Sequence, residues 1–584
     1  MTPHPLRLIL VALLIAGTVT WLRAETPAFL VTAHWDVPPD VWKGTSTFVF
    51  PETMPDTCIQ DRGGDLGVAF SGGGTRSAAA TVGELRGLKA NGWLSRVRYV
   101  TAVSGGSWAA VPFTYSPTDL DTLLEKALEP AQLTKAVVDK DPPDHSLALS
   151  IVKSNLFAPG AAEAAKIVGR SKLETADVPE EARSLAEKLL GGSNDETYAN
   201  VIGKVFIKPH VPGGLQKRYT WNAKTRDRIK DLSPSLSVSD FVTAADDRPF
   251  LIVGGTMIYG HPAYDYPRLI PVEMTPIYTG VRQQYGDKLG GIYVSPYAYD
   301  VAGATSSTDH TVRVKLVDER RPFTLADMIG TSGAAPLLML FRGKPAKILT
   351  RATAFFPMFN HFTVRHDEVQ PVVTHLPHGD GGFTDNLGVL PLLARQVHNI
   401  IVLVNAKEPV RENPAVESLF WPLDRQEDAG GDRSMSHVFD HKHFDELERG
   451  LQAGVAAGGA AVYCSDPGGW DVLKNEMFNV AEYKGLNICW VYNQKIDTWV
   501  KKLPPDTQAL VGSKKFKNFP WFSTFEENVP SVIKLSAPQV NLLTQLATWT
   551  LTNDVSRKTI EKAIAPALDG GAQTPSACEA SHSG

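Results

Sequence analysis

Short apolar runs that end in small or polar residues mark two neighbouring strands near the start of the chain. Residues 65–71 form one such run, which leads into three consecutive glycines at 72–74. A helical pattern follows over 77–90, and a second, β-branched run covers 97–103. Strand, glycine turn, helix and strand in this order predict a βαβ unit with two sharp strand-to-helix corners.

The alternation of strands and helices continues further along the chain. Residues 250–258 and 399–405 are apolar runs of strand length, and 387–398 is helix-like. Strands that alternate with helices favour a parallel sheet covered on both faces. The predicted fold class is therefore α/β, with a mainly parallel central sheet flanked by helices. A largely helical pattern separates the second corner from the later strands and predicts a helical insertion over 119–245.

Each of the two corners carries a chemical prediction. Consecutive glycines let the backbone adopt positive φ, so N–H groups at a helix N-terminus converge on a phosphate or an acyl-transfer oxyanion. At the second corner Ala102, Ser104 and Gly106 follow the G-x-S-x-G nucleophile elbow, with alanine in place of the first glycine. Small neighbours leave room there for a strained turn that exposes the serine hydroxyl. The alternative for either corner alone is an ordinary glycine-rich turn.

Three segments together resemble the patatin-like lipid acyl hydrolases, and in particular the catalytic module of the cytosolic phospholipase A2 group. Residues 71–76 read Ser-Gly-Gly-Gly-Thr-Arg, and 103–108 read Val-Ser-Gly-Gly-Ser-Trp. The third segment, 378–387, contains Asp380 in a D-G-G turn, where this family places its aspartate. Residues 331–336 match a further landmark of the family weakly. The resemblance implies the family's α/β fold.

The resemblance also implies a serine–aspartate dyad that works without histidine. Ser104 is then the nucleophile and Asp380 the base that accepts its proton. Attack on a lipid ester gives an acyl-enzyme, which water hydrolyses. The implied oxyanion hole consists of the backbone N–H groups of Gly72, Gly73 and Gly74.

Arg76 follows the glycines by two residues, close to the predicted helix N-terminus. A guanidinium at this place would bind a substrate phosphate through two parallel hydrogen bonds. The alternative is that Arg76 pairs with a nearby carboxylate and holds the loop. The implied substrates are phospholipids or lysophospholipids at a membrane surface.

Two other functions remain compatible with the residues. His361, His378 and His398 are available for a Ser-His-Asp esterase, although that architecture does not explain the triple-glycine loop before the elbow. A non-catalytic envelope protein that binds lipid, or acts as a scaffold with a degenerate site, is the second. A P-loop nucleotide site is excluded, because Gly-x4-Gly-Lys-Ser/Thr is absent.

Composition narrows the choice of partners only slightly. The net charge of −5 and the absence of a dense basic tract argue against nucleic acid. No cofactor or metal is predicted, because His437 and His441 share a predicted helix face without a fixed third ligand. Four cysteines, including Cys464 and Cys489, leave the disulfide pairing open. The oligomeric state is not predicted.

The N-terminus predicts export. Arg7, an apolar run over 8–22 and Ala24 fit a signal peptide, and an uncleaved membrane anchor is the alternative. The protein is accordingly predicted to be periplasmic, secreted or membrane-anchored. The predicted organisation is a signal peptide or anchor (1–24), an N-terminal arm (25–60), a catalytic core (61–118 and 246–410), a helical insertion acting as a lid or as plain structure (119–245), a C-terminal extension that completes the core (411–568) and a flexible tail (569–584).

Overall fold

The fold is known from a computed structural model, which describes most of the 584 residues. The predicted N-terminal segment 1–24 and residues 570–584 of the predicted tail lie outside the described residues. So do residues 155–197 of the predicted helical insertion. The described residues are 29–35, 49–54, 57–59, 64–154, 198–259, 268–285, 288–306, 310–318, 321–335, 357–365, 368–422, 436–522 and 535–569.

A large mixed sheet forms the centre of the protein, and within the described residues it has 15 strands. Two further pairs, β4–β5 and β13–β14, stand outside it. The strands are β1 Phe29–His34, β2 Leu66–Phe70, β3 Tyr99–Val103, β4 Arg218–Thr220, β5 Phe241–Thr243, β6 Phe250–Tyr259, β7 Arg268–Met274, β8 Thr279–Tyr285, β9 Leu289–Val294, β10 Val301–Ser306, β11 Thr311–Leu316, β12 Met358–His361, β13 Val364–Arg365, β14 Glu368–Val369, β15 Val373–Asp380, β16 Asn399–Val404, β17 Val462–Cys464, β18 Trp470–Val472 and β19 Tyr483–Tyr492.

Helices flank this sheet, and the described part of the predicted insertion contains five of them together with the short strands β4 and β5. The last of them, in the C-terminal extension, are long. The helices are α1 Gly74–Ala90, α2 Gly105–Tyr115, α3 Leu120–Leu124, α4 Lys135–Val138, α5 Leu147–Lys153, α6 Tyr198–Phe206, α7 Ala223–Leu232, α8 Leu325–Ser332, α9 Gly382–Asp385, α10 Leu390–Ala394, α11 Pro414–Glu417, α12 Lys442–Ala456, α13 Asp497–Val500, α14 Pro505–Val511, α15 Ala537–Thr552 and α16 Asp554–Asp569.

The prediction of a mainly parallel sheet is wrong. The strands β6, β3, β2, β16 and β19 run parallel in the middle of the sheet. The pairings outside this centre, from β6 through β7, β8, β9, β1 and β11 to β10, are antiparallel. The aspartate strand β15 also pairs antiparallel with β6. The sheet is therefore mixed and largely antiparallel.

Burial explains why the sequence pattern emphasised the parallel strands. The parallel strands β2, β3 and β16 are buried along their whole length, so they read as continuous apolar runs. The outer strand β11 instead alternates, with Val312 and Val314 buried and Arg313 and Lys315 exposed. That alternation is typical of an antiparallel strand with one solvated face.

Helix α1 carries the triple-glycine corner, and α15 packs closely against it. A Cβ atom at Gly83 would lie 2.0 Å from the Thr544 carbonyl oxygen, and one at Gly87 would lie 3.0 Å from Leu551 Cβ. These contacts explain why α1 is rich in glycine and alanine.

Segments from both ends of the chain complete the sheet. Strand β1, from the predicted arm, pairs with β9 and β11. Strand β19, from the C-terminal extension, pairs with β16, and a disulfide between Cys464 and Cys489 joins β17 to β19.

Helix α12 begins at Lys442, after His437 and His441, so these histidines do not share a helix face. Within the described ranges, no helix is both long and apolar enough to cross a bilayer.

Candidate active site

Ser104 occupies the sharp corner between β3 and α2. Its backbone has φ 50° and ψ −125°, a strained conformation for a residue other than glycine, which costs about 1–3 kcal/mol. The following glycines allow this turn to approach the first corner. A Cβ atom at Gly105 would lie 1.9 Å from the Gly74 carbonyl oxygen, and one at Gly106 would lie 2.9 Å from the Phe70 carbonyl oxygen. The geometry is that of a nucleophile elbow.

Asp380 lies at the end of β15, where the antiparallel pairing places it opposite Gly255 of β6. Its carbonyl oxygen accepts a hydrogen bond of 2.8 Å from the Thr256 hydroxyl. Its Oδ1 accepts one of 2.7 Å from the Gly382 backbone N–H. These bonds fix the main chain of Asp380 and one oxygen of its carboxyl group, and they leave Oδ2 available to accept a hydrogen bond from another donor.

The hydroxyl of Ser104 donates a hydrogen bond of 2.7 Å to Asp380 Oδ2. The structure thus brings together two side chains that are 276 positions apart in the sequence. Both are buried, and burial raises the pKa of the Asp380 carboxyl to about 7, although hydrogen bonds from Ser104 and Gly382 act in the opposite direction. A carboxyl group that is about half ionised at neutral pH, and in contact with a serine hydroxyl, is suited to accept its proton.

The candidate histidines of the alternative triad are engaged elsewhere. His378 contacts the Tyr299 hydroxyl through Nε2 and the Leu376 carbonyl oxygen through Nδ1, each at 2.8 Å. His361 Nε2 accepts a hydrogen bond from the Gly290 N–H, and burial lowers the pKa of His361 to about 3 and that of His378 to about 4. His398 is half exposed and faces Asp65. The serine contacts the aspartate directly, without an imidazole between them.

The glycine loop lies beside Ser104, but its three N–H groups are not equivalent. A Cβ atom at Gly72 would lie 3.1 Å from Ser104 Cβ. The Gly72 N–H, however, donates to the Asn386 carbonyl oxygen at 2.8 Å, so Gly72 is not free to bind an oxyanion. Gly73 and Gly74 have φ of 145° and 60°, and among the described residues their N–H groups have no recorded acceptor. Of the three N–H groups predicted for the oxyanion hole, those of Gly73 and Gly74 are thus the two left without an acceptor in the described part of the chain.

Arg76 is buried against the same loop. Its Nε donates to the Asn405 carbonyl oxygen at 3.1 Å, and its Nη1 donates to the Phe522 carbonyl oxygen. Burial lowers the pKa of its guanidinium to about 10, although Glu408 opposes the shift. A Cβ atom at Gly73 would lie 2.6 Å from Arg76 Nη2. These contacts do not support the expected phosphate contact, because the guanidinium is buried and already donates to two backbone carbonyl oxygens.

Replacing Arg76 with glutamine should reduce kcat/KM about ten- to a hundredfold, by the same factor on a phospholipid and on a neutral p-nitrophenyl ester. The reason is that removing the guanidinium weakens the support of the glycine loop, which serves both substrates, and does not remove a contact with the substrate. Steady-state assays on both substrates measure the two factors. Arg86→Gln is the matched control, since Arg86 is a buried arginine of α1 that binds the Leu124 carbonyl oxygen away from the loop. A loss of kcat/KM confined to the phospholipid would contradict this role and would instead support a contact between Arg76 and the substrate phosphate.

Two residues near the site were not predicted as parts of it. Asn386 accepts the Gly72 N–H through its carbonyl oxygen and places its side-chain Oδ1 beside Gly72 and Gly382. Ser332, at the end of α8, accepts a hydrogen bond from the Ser104 N–H through its hydroxyl oxygen. Asn386 and Ser332 lie within segments that resemble the family, but neither residue type signals a contact with a remote backbone group.

A buried carboxyl group, Glu84 of α1, also belongs to the support of the loop. The Asn405 side-chain amide donates to Glu84 Oε2 at 3.3 Å, and the Asn405 N–H donates to Ser71 Oγ at 2.7 Å. Burial raises the pKa of Glu84 to about 8, so its carboxyl is neutral at pH 7. In the unfolded chain the same carboxyl ionises near its ordinary value of about 4.3.

Glu84→Gln should therefore stabilise the protein at alkaline pH. For the wild type, the free energy of unfolding falls as pH rises from about 4 to about 8, because only the unfolded state ionises Glu84 readily in this range. Glutamine removes this cost, and the gain at pH 8 should exceed ~1.4 kcal/mol, the free energy of a tenfold change in the ionisation equilibrium. Denaturant titrations at pH 5 and pH 8 measure the gain, with the exposed Glu482→Gln as control. An equal effect of Glu84→Gln at both pH values would contradict the assignment.

No family model and no curated protein matches the sequence. The chain is similar to solved structures of human GIVD cytosolic phospholipase A2. One of them is 12% identical, with 88% of this chain and 61% of that chain covered and a TM-score of 0.41. Its complex with methyl gamma-linolenyl fluorophosphonate is 12% identical, covers 88% and 62%, and has a TM-score of 0.37. The same complex with terbium chloride is also 12% identical, covers 88% and 60%, and has a TM-score of 0.36.

The chain aligns with 60–62% of the length of these solved structures. These similar structures are all of a phospholipase. The resemblance to patatins rests on the sequence motifs alone.

Proposed function

We propose that the protein is a serine acyl hydrolase that cleaves fatty-acyl esters of phospholipids or lysophospholipids. The observation that carries the proposal is the 2.7 Å hydrogen bond from the Ser104 hydroxyl, on its strained elbow, to the buried carboxyl of Asp380. A strained serine in contact with a base is the arrangement that nucleophilic catalysis requires.

In the first step Ser104 Oγ attacks the ester carbonyl carbon, and Asp380 accepts the hydroxyl proton. Negative charge develops on the carbonyl oxygen of the tetrahedral intermediate. The N–H groups of Gly73 and Gly74 bind that oxygen, since they lie at the N-terminus of α1, where the helix dipole also favours negative charge. When the intermediate collapses, the protonated Asp380 gives its proton to the leaving alcohol oxygen.

In the second step water hydrolyses the acyl-enzyme. Asp380, ionised again, accepts a proton from the attacking water, and the same two N–H groups bind the second oxyanion. Asp380 then returns the proton to Ser104 Oγ as the fatty acid leaves. The two steps are the same chemistry with alcohol and water exchanged, so one carboxyl group serves both.

A fatty-acyl substrate is supported by the apolar surroundings of the aspartate turn. Phe383 follows Asp380 by three residues and belongs to a small hydrophobic cluster that is separate from the main core. An acyl chain bound against the partly exposed Phe383 would bury apolar surface, and this burial would contribute about 25 cal/mol per Å². The cluster consists of Ile258, Leu269 and Ala334, with Tyr198 and Phe383 packed against them.

We further propose that the protein is exported, as the N-terminal sequence predicts. The disulfide between Cys464 and Cys489 supports this proposal, because disulfides form and persist in oxidising compartments outside the cytoplasm. Its substrate would then be the lipid of a membrane surface that faces such a compartment.

The function is tested with vesicles of phosphatidylcholine that carries different chains at its two positions, and with lysophosphatidylcholine. Mass spectrometry should detect free fatty acid from at least one of these lipids, together with the deacylated product. Ser104→Ala protein should release none. Hydrolysis of p-nitrophenyl esters by the wild type without release of fatty acid from either lipid would contradict the proposed substrate class.

A further inference from the structure

We propose that Ser332 is a positioning residue, which fixes the Ser104 elbow relative to the Asp380 turn. The inference rests on the proposed function and adds a third residue to it. Ser332 lies at the C-terminal end of α8 and is fully buried. It does not touch the hydroxyl of Ser104 or the carboxyl of Asp380 in any recorded hydrogen bond among the described residues, and it acts through the backbone of both turns.

Ser332 accepts one backbone hydrogen bond from each turn. The Ser104 N–H donates to Ser332 Oγ at 2.9 Å. The Gly381 N–H, directly after Asp380, donates to the Ser332 carbonyl oxygen at 3.3 Å. A single residue therefore sets the distance between the main chain that carries the nucleophile and the main chain that carries the base.

The elbow needs such an acceptor because of its own geometry. Ser104 precedes the first turn of α2, where backbone N–H groups have no partner within the helix, and in the described part of the chain no side chain caps this helix. Its positive φ is also strained, so a hydrogen bond from outside the turn must hold it. The hydroxyl of Ser332 supplies that bond.

Ser332 is itself held by close contacts around the end of α8. The Tyr198 hydroxyl, from α6, donates to the Gly333 carbonyl oxygen at 2.6 Å. A Cβ atom at Gly333 would lie 2.6 Å from Trp108 Nε1 on α2, and one at Gly330 would lie 2.5 Å from Ala199 Cα on α6. These contacts leave α8 little room to move, so Ser332 serves as a fixed reference for both turns.

Ser332→Ala should lower kcat about ten- to a hundredfold and leave KM nearly unchanged, because Ser332 is fully buried and binds the backbone of the two turns. The acid limb of the pH–rate profile should also move to higher pH. The Ser104 hydrogen bond lowers the pKa of Asp380, so a longer Ser104–Asp380 contact lets that pKa rise. Tyr198 is the titratable side chain of α6 that interacts with Asp380, and burial raises its pKa, so it stays neutral in this range.

The experiment compares Ser332→Ala with Thr331→Val, in full-length protein, by kcat, KM, pH profile and thermal midpoint on a p-nitrophenyl ester. Thr331 is the matched control, since it is buried next to Ser332 and its hydroxyl has no recorded partner among the described residues. Should Ser332→Ala not fold, Ser332→Cys keeps nearly the same volume with a weaker acceptor. It should then give a smaller loss of kcat with the same direction of pH shift.

An unchanged kcat and acid limb in a folded Ser332 variant would overturn the inference. So would a loss that Thr331→Val reproduces, because that loss would reflect packing of α8. Ser104→Ala, assayed in parallel, separates this failure from that of the proposed function. An inactive Ser104→Ala with a normal Ser332 variant overturns the positioning role alone, whereas an active Ser104→Ala overturns both.

Discussion

Replacing Ser104 with alanine should lower kcat about 10⁴- to 10⁶-fold, the scale expected when a nucleophile is removed. The variant keeps the backbone of the elbow, including the bond from its N–H to Ser332, and loses only the hydroxyl that contacts Asp380. Its thermal midpoint should therefore stay close to that of the wild type. The measurement is ester hydrolysis under single-turnover and steady-state conditions, with circular dichroism to show that the variant is folded.

The control for this prediction is His378→Gln, which separates the dyad from a Ser-His-Asp triad. His378 is buried and precedes Asp380 by two residues in the sequence. Its ring nitrogens, however, contact the Tyr299 hydroxyl and the Leu376 carbonyl oxygen. The variant should retain most of the activity. If a folded His378→Gln protein lost as much activity as Ser104→Ala, histidine would belong to the mechanism and the dyad would be wrong.

Asp380→Asn should lower kcat about 10⁴-fold, because an amide cannot accept the proton of the serine hydroxyl or of water. The same variant should gain stability at pH 8. The carboxyl ionises near pH 4 in the unfolded chain but only near 7 when folded, so the free energy of unfolding of the wild type falls across this interval. Kinetics and thermal melts at pH 5 and pH 8 measure both effects.

The wild type provides the complementary observation. Its kcat/KM should rise as pH passes through about 7, because Asp380 must be ionised to act as the base. The acid limb should be absent from whatever activity Asp380→Asn retains. An Asp380→Asn protein with more than a tenth of the wild-type kcat, or with no gain of stability at pH 8, would contradict its role as a buried base.

The sharp turn at Ser104 could be predicted from sequence because its determinants are local. An apolar run, a serine and two glycines over 99–106 specify the strand, the elbow and the start of the helix. The family resemblance identifies Asp380 through its D-G-G turn. Its contact with Ser104, however, depends on the antiparallel pairing of β15 with β6, which the sequence pattern did not predict.

The roles of Gly72 and Arg76 could not be predicted because they depend on distant backbone atoms. The carbonyl oxygen of Asn386, more than 300 positions away in the sequence, accepts the hydrogen bond of the Gly72 N–H. The carbonyl oxygen of Phe522, 446 positions away, accepts one from Arg76. Every residue has a backbone carbonyl oxygen, so the residue type does not reveal which carbonyl oxygens accept these hydrogen bonds. The motif 72–76 therefore predicts an anion-binding loop, but not which of its N–H and guanidinium groups are already bound to other parts of the chain.

The central claim, that Ser104 is an activated nucleophile, is tested most directly by intact mass spectrometry after treatment with a fluorophosphonate. The folded wild type should gain the mass of one adduct, and peptide mapping should place it on Ser104. Ser104→Ala should gain none, and Asp380→Asn should react far more slowly than the wild type. A wild type that remains unmodified, or that carries its adduct on another serine, would contradict the account.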